Sequence, residues 1–263
     1  VHVSRCFEPF AALTLKGLYV SAISAGRVLQ QNNVRTKVDS VRLTFTDCHF
    51  DRDLTAVIRF DTRWCKVYLR RNYFSNLGLA ADGNGRGLDD RGNDLDSVLV
   101  EDNVYYNLTG RLMRDGAGKI NWARFNHNTF VNIADRFGIG EVKEGHVTNN
   151  IFWNHRFLGH DTLGQSFIET KQWLGTGTQV LDIHHNNFYL HPAMIAAYPS
   201  TARGQVRAIP NFDSLAQSFI DRNGYGPTNT TLGLTFTNGP LNEIGYMQDQ
   251  WSPSVPIANR REM

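Results

Sequence analysis

Cysteine is scarce in this chain: Cys6, Cys48 and Cys65 are the only three in 263 residues. At most one disulfide can form, which excludes a cysteine-stapled framework, and no paired-cysteine spacing marks a zinc site. No apolar run approaches the roughly 20 residues that span a bilayer, so a transmembrane helix is excluded and no membrane insertion is expected. A charge excess is missing too: 27 Lys and Arg stand against 25 Asp and Glu, a formal net charge of +2. That gives no electrostatic case for nucleic acid as a partner. The N-terminus has no basic stretch leading into an apolar one, so any secretory signal is expected to be already removed or to lie in a missing N-terminal part. With 41% hydrophobic and 20% charged residues, wholesale disorder is excluded. What is abundant is small and polar: 23 Gly and 23 Asn.

The asparagines fall in a repeat. An apolar residue is followed three positions on by Asn and two further on by an aromatic or apolar residue. The pattern reads Leu69-Arg-Arg-Asn72-Tyr-Phe74, Val100-Glu-Asp-Asn103-Val-Tyr105, Phe125-Asn-His-Asn128-Thr-Phe130, Val147-Thr-Asn-Asn150-Ile-Phe152 and Ile183-His-His-Asn186-Asn-Phe188. An earlier copy, Phe45-Thr-Asp-Cys48-His-Phe50, puts Cys in the Asn position, and Leu15-Lys-Gly-Leu18-Tyr-Val20 is a weaker first one. In four copies another Asn follows four positions later, at Asn76, Asn107, Asn132 and Asn154. Spacings between central positions are 30, 24, 31, 25, 22 and 36 residues.

A minimum period near 22, lengthened by loop insertions, fits one coil of a parallel β-solenoid. The segments alternate as strands do: Val41, Leu43, Phe45; Val67, Leu69; Val98, Val100. The step of three from the apolar residue to Asn breaks that alternation. For both to point inward the backbone must bend, with one residue in the left-handed region, which Asn tolerates well. Stacked coil on coil, the amides can bond one another and the aromatics can stack. An antiparallel sandwich gives no reason for Asn at one phase in every repeat. The fold expected is therefore all-β, a single-domain right-handed parallel β-helix (β-solenoid) of about seven coils with an Asn ladder.

A second strand is expected about ten residues after the ladder position, at Val57–Asp61, Leu112–Asp115, Phe137–Glu141 and Phe157–Asp161, with another at Phe167–Lys171. Residues 1–207 form the array. From Ala208 to Met263 five of the eight prolines appear, and the segment is read as an extended C-terminal capping tail. Its one helix-like piece is Asn211–Asn223. The N-terminal coil shows no cap, so a partner, self-association or a larger parent chain is expected to supply one.

The copies Phe125-Asn-His-Asn-Thr-Phe-Val-Asn132 and Val147-Thr-Asn-Asn-Ile-Phe-Trp-Asn154 resemble the right-handed parallel β-helix proteins of the pectin-lyase-like superfamily. Across 85–100 the chain is similar to secreted β-helix repeat proteins of Bacteroidetes-type bacteria. The resemblance covers about 40–207 and implies an extracellular or cell-surface location and, often, a polysaccharide ligand. The Lys-Ser, Leu-Arg-His-Gly and Arg-Xaa-Pro-Xaa-Xaa-Arg stretches of its lyase branches are absent, so no catalytic residue is carried over from it.

Candidate chemistry therefore comes from the residues. Elimination on a uronic acid needs a base, a cation for the enolate and an acid for the leaving oxygen. Arg59 and Arg114 fall at one phase, eleven residues after their ladder positions. Arg114, Lys143 and Glu141 are the catalytic candidates, and Arg59, Asp61, His160 and Trp173 the substrate-binding ones. The plainer account is a solvated face of weak ion pairs. The Gly-rich insertion from Asp82 to Asp96 has calcium-loop character, with Asp82, Asp89 and Asp90 as metal candidates, although Arg86 stands where a ligand belongs; the alternative is a turn with Arg–Asp pairing. His184 and His185, adjacent on a strand, are expected to point to opposite faces and so not to chelate together. Trp122, Trp153 and Trp173 are possible sugar platforms, with Trp153 equally a core cover.

These readings lead to an extracellular protein that binds or cleaves an acidic polysaccharide, as a lyase or glycoside hydrolase if it is an enzyme. The alternative is a non-catalytic surface or matrix protein for structure or adhesion, assembling through its coil ends or loops.

Overall fold

The structure, a computed structural model, describes residues 5–7, 11–21, 27–30, 39–51, 53, 55–77, 85–108, 110–114, 118–133, 137–155, 168–171 and 173–189. Every regular element among them is a strand. The chain runs through β1 (Arg5–Phe7), β2 (Ala12–Lys16), β3 (Tyr19–Ser21), β4 (Arg27–Gln30), β5 (Arg42–Thr46) and β6 (His49–Asp51). It continues with β7 (Ala56–Arg59), β8 (Cys65–Arg70), β9 (Tyr73–Leu77), β10 (Arg86–Asp89), β11 (Leu95–Glu101), β12 (Val104–Leu108) and β13 (Met113–Arg114). The remaining strands are β14 (Lys119–Asn126), β15 (Thr129–Ile133), β16 (Phe137–Thr148), β17 (Ile151–His155), β18 (Ile168–Lys171), β19 (Val180–His184) and β20 (Asn187–Tyr189).

Three parallel sheets collect them. Sheet A has the order β1-β4-β7-β10-β13, sheet C the order β3-β6-β9-β12-β15-β17-β20, and sheet B the order β2-β5-β8-β11-β14-β16-β18, with β19 also paired to β16. From β1 to β18 consecutive strands go to different sheets, and every paired neighbour is parallel, an arrangement consistent with a β-solenoid. The sequence segment 208–263, Phe157–Asp161, His160 and Asp82 lie outside the described residues.

The corner between sheets B and C follows from the repeat. The residue before each ladder position is left-handed: Gly17, Asp47, Arg71, Asp102, His127, Asn149 and His185 all have φ between 51° and 66°. The bend is therefore carried by the preceding residue and not by the ladder Asn itself. It turns the ladder side chain inward, where Asn72, Asn103, Asn128, Asn150 and Asn186 are buried. There Asn72 Nδ2 donates to Asn103 Oδ1 at 2.9 Å, Asn103 to Asn128 at 3.1 Å, Asn128 to Asn150 at 3.0 Å and Asn150 to Asn186 at 2.9 Å. Each Nδ2 also donates to a backbone carbonyl one coil back, as Asn128 does to Val100 at 2.9 Å. Each Oδ1 also accepts from the backbone N–H of the preceding ladder residue, as Asn128 Oδ1 does from Asn103 N at 3.0 Å, and for Asn72 the Cys48 N–H takes the place of a ladder amide. Burial leaves these amides fully bonded.

The later asparagines form a second row. Asn76, Asn107 and Asn132 have φ of 53°, 57° and 54°, so here Asn does occupy the left-handed turn. Asn132 Nδ2 donates to Asn107 Oδ1 at 3.0 Å, Asn107 to Asn76 at 3.1 Å, and Asn76 to Asp51 Oδ1 at 2.9 Å. Between the two rows runs the aromatic stack Phe50, Phe74, Tyr105, Phe130, Phe152, with ring centroids 4.6–5.3 Å apart. Cys48 fills a ladder position as a small buried residue, and Cys48 and Cys65 are both free thiols.

Sheet A departs from expectation in one place. Part of the Gly-rich insertion, Arg86–Asp89, is strand β10 rather than loop. The reason is its register: Leu88 joins the buried column Leu29, Ile58, Leu88, Met113. After β15 a single twelve-residue strand, β16, belongs to sheet B, with a bulge between Gly138 and Gly140 and Gly140 at φ 61°.

Candidate functional site

Because coils stack in register, residues at the end of each sheet A strand line up in columns. Asp89 is paired with Arg59 on one side and Arg114 on the other, so the two arginines predicted to share a phase do so with a carboxylate between them. The Asp89 side chain is 3% exposed, and its Oδ2 lies 3.4 Å from Arg86 Nη1 and 3.9 Å from Arg114 Nη1. Arg59 Nε contacts Asp61 Oδ1 at 3.3 Å, and Arg91 Nε approaches the same oxygen at 4.0 Å.

The turn after β10 holds this group in place. Asp89 Oδ1 accepts from Arg91 N at 3.2 Å and Asp90 Oδ1 from Gly92 N at 2.8 Å, two successive Asx turns, with Arg91 and Gly92 at φ 56° and 82°. Arg–Asp pairing, one of the two arrangements the sequence offered for this insertion, is present between Arg86 and Asp89. Among the described residues no group of three His, Cys, Asp or Glu could hold a metal ion. Four guanidiniums (Arg59, Arg86, Arg91, Arg114) thus pair with two carboxylates (Asp61 and Asp89). Arg91 and Arg114 are the open ones: each side chain is over 40% exposed, and each ion pair is near the 4 Å limit. A guanidinium carries five donors in a fixed fork, so both present unused donors to solvent in a geometry suited to carboxylate or another oxyanion.

Glu141, Lys143 and Trp173 come together elsewhere, on the outer face of sheet B. Glu141 Oε1 accepts from Leu174 N at 2.8 Å and lies 3.5 Å from Lys119 Nζ. Lys119 Nζ sits 5.5 Å from the centre of the Trp173 ring, and Gln179 Nε2 donates to the Val142 carbonyl at 2.9 Å. Residues 173–179 therefore strap across β14 and β16, with the Lys143 ammonium beside Gly177. Arg114 faces Asp89 in sheet A and is not part of this group. Trp153 is 2% exposed and serves as a core cover.

A further polar group on sheet B has no counterpart in the sequence reading. His146 Nε2 lies 3.0 Å from Glu144 Oε1, its Nδ1 lies 3.1 Å from Asp182 Oδ2, and Asp182 Oδ1 lies 3.0 Å from His184 Nε2. His184 and His185 meet Nδ1 to Nδ1 at 2.5 Å, contrary to the expectation that they diverge, because His185 occupies the left-handed corner where strand alternation ends. Asp182 and His146 are 36 residues apart, and only the register of β16 on β19 joins them. No protein-family model, curated protein or solved structure matches the chain.

Proposed function

We propose that this chain is an extracellular right-handed β-helix of about seven coils, of pectin-lyase-like type, that binds an acidic polysaccharide across sheet A. The observation that carries this reading is the Arg59–Asp89–Arg114 column with Arg91 beside it. Rungs of a parallel sheet repeat every 4.8 Å or so, which sets Arg59 and Arg114 roughly 10 Å apart along the coil axis. An extended polyuronate presents carboxylates at regular intervals along one line, and a guanidinium can grip each with two parallel hydrogen bonds. Asp61 and Asp89 hold the forks in position.

Binding without cleavage is the stronger form of the reading. Arg114 is separate from Lys143 and Glu141, and Glu141 is engaged by Lys119 and the Leu174 amide. If the chain is an enzyme, lyase or hydrolase chemistry belongs to the sheet B group. The calcium expectation names Asp82, outside the described residues, with Asp89 and Asp90, whose Oδ1 atoms accept from Arg91 N and Gly92 N. The test is calorimetric titration with a polyuronate and with a neutral glycan, in calcium and in chelator, with ultraviolet absorbance followed for unsaturated products. Binding of the polyuronate alone, weakened on the order of tenfold by Arg114→Gln, is the expected result. Equal affinity for both glycans, or none for either, would overturn the reading and favour a structural or adhesive role in a surface or matrix.

A further inference from the structure

β19 is held differently from the strands before it. Its burial pattern has no fully buried residue: Val180 and Leu181 are 49% and 40% exposed, and Ile183 only partly packs on the core. The strand is reached after a long excursion, and it lacks the apolar anchors that fix β8, β11 or β14. Elements with few buried apolar contacts open at low free-energy cost. Among the described residues, Gln179 ties the start of β19 to the Val142 carbonyl and Asn186 ties its end to Asn150 and the Val147 carbonyl; within the strand itself the side-chain hydrogen bond to β16 is His146 to Asp182.

That tie depends on a proton. Both His146 nitrogens face carboxylate oxygens, Glu144 on one side and Asp182 on the other. Neutral imidazole has one N–H and can satisfy only one of them, whereas imidazolium donates to both. The other groups facing the ring do not substitute for it. From β14, Arg124 is its register partner but approaches Glu101 at 3.9 Å, and the Trp122 ring centre is 6.4 Å away. From β19, His184 contacts the far oxygen of Asp182.

We propose that Glu144, His146 and Asp182 form a proton-operated clamp that closes β19 onto β16 when the imidazole is charged and releases it when the imidazole is neutral. Electrostatics agree with the geometry. Burial alone draws His146 down, but hydrogen bonds to Glu144 and Asp182, with their charges, more than offset it and leave the group above its ordinary value of 6.5. The hydrogen bond from His146, opposed by partial burial and aided by the charges of both histidines, holds Asp182 below its ordinary 3.8. The His146 contribution is thus complete below the ordinary histidine value and lost as pH rises through the raised one. The Asp182 contribution is lost only as pH falls through its lowered value.

The test is amide hydrogen exchange on the full chain between about pH 5.5 and about pH 8.5, normalised to intrinsic rates, comparing β19 with β12. In the parent protein, β19 protection should fall at least about tenfold as pH rises while β12 stays level. His146→Gln should show the low β19 protection throughout that range. Glu144→Gln, at an exposed position, should keep the transition and move its midpoint to lower pH, because the amide still accepts a bond without the charge. A β19 protection that follows β12 at every pH, or a Glu144→Gln midpoint that does not move, would overturn the clamp.

Discussion

Tyr105 carries the only hydroxyl in the inner ring stack, between Phe74 and Phe130 at 4.6 and 5.3 Å. Its oxygen is buried without a hydrogen-bond partner among the described residues, and burial pushes the phenol well above its ordinary ionisation range. A buried donor left unmet costs about 1–3 kcal/mol, while the ring contributes packing whether or not the hydroxyl is present. Tyr105→Phe should therefore raise stability by about 1–2 kcal/mol, seen as a higher denaturant midpoint at unchanged slope. An unchanged or lower midpoint would mean that the hydroxyl finds a partner after all. Cys65 is buried as well, and burial pushes its thiol up, which suits packing and not reactivity.

The ladder is an element in its own right, and its two ends behave differently. Asn128 sits mid-row with both neighbours amides, so Asn128→Ala removes its bonds to Val100 O and Asn150 Oδ1 and strands the donors of Asn103. A loss on the order of 3 kcal/mol is expected in equilibrium unfolding. Cys48 starts the row, and Asn72 Oδ1 accepts from its backbone N–H at 3.0 Å but from no side chain there. Cys48→Asn should extend the row by one rung and stabilise by about 1 kcal/mol, read in the same experiment. This element was legible in the sequence because Asn recurs at one phase relative to the apolar residue and the aromatic. Strand β10 was not, because Arg86-Gly-Leu-Asp89 offers one apolar residue inside a run of Gly and Asp that looks like a turn. Only the column of Ile58 and Met113 on either side shows that Leu88 belongs inside. The Arg59–Arg114 phase was legible for the same reason as the ladder. The Glu144–His146–Asp182 group was not, since it depends on how β19 registers on β16 after an excursion whose length sequence does not interpret.

For the whole molecule a net charge of +2 means that no long-range field draws a polyanion in. On the proposed reading, attraction is local to the arginines of sheet A. Polyuronate affinity should fall steeply as ionic strength rises from about 0.1 M to about 1 M, where the screening length shrinks from ~10 Å to ~3 Å. Calorimetry in a salt series measures it; an affinity indifferent to salt would place the contact on aromatic surfaces such as the exposed Tyr19 and Tyr73.

The two asparagine rows also differ in sense. In the row from Asn72 to Asn186 the amide-to-amide bond is donated to the residue one coil later, and in the row from Asn132 to Asn76 to the residue one coil earlier. Over the coils they share, the amide dipoles oppose one another. An α-helix sums its peptide dipoles and gathers partial charge at both ends. This array cancels much of what its side chains would otherwise accumulate, so adding coils need not build a field along the axis. Where the second row does end on its donor side, the Asp51 carboxylate receives the last N–H, as an acidic residue does at the start of a helix.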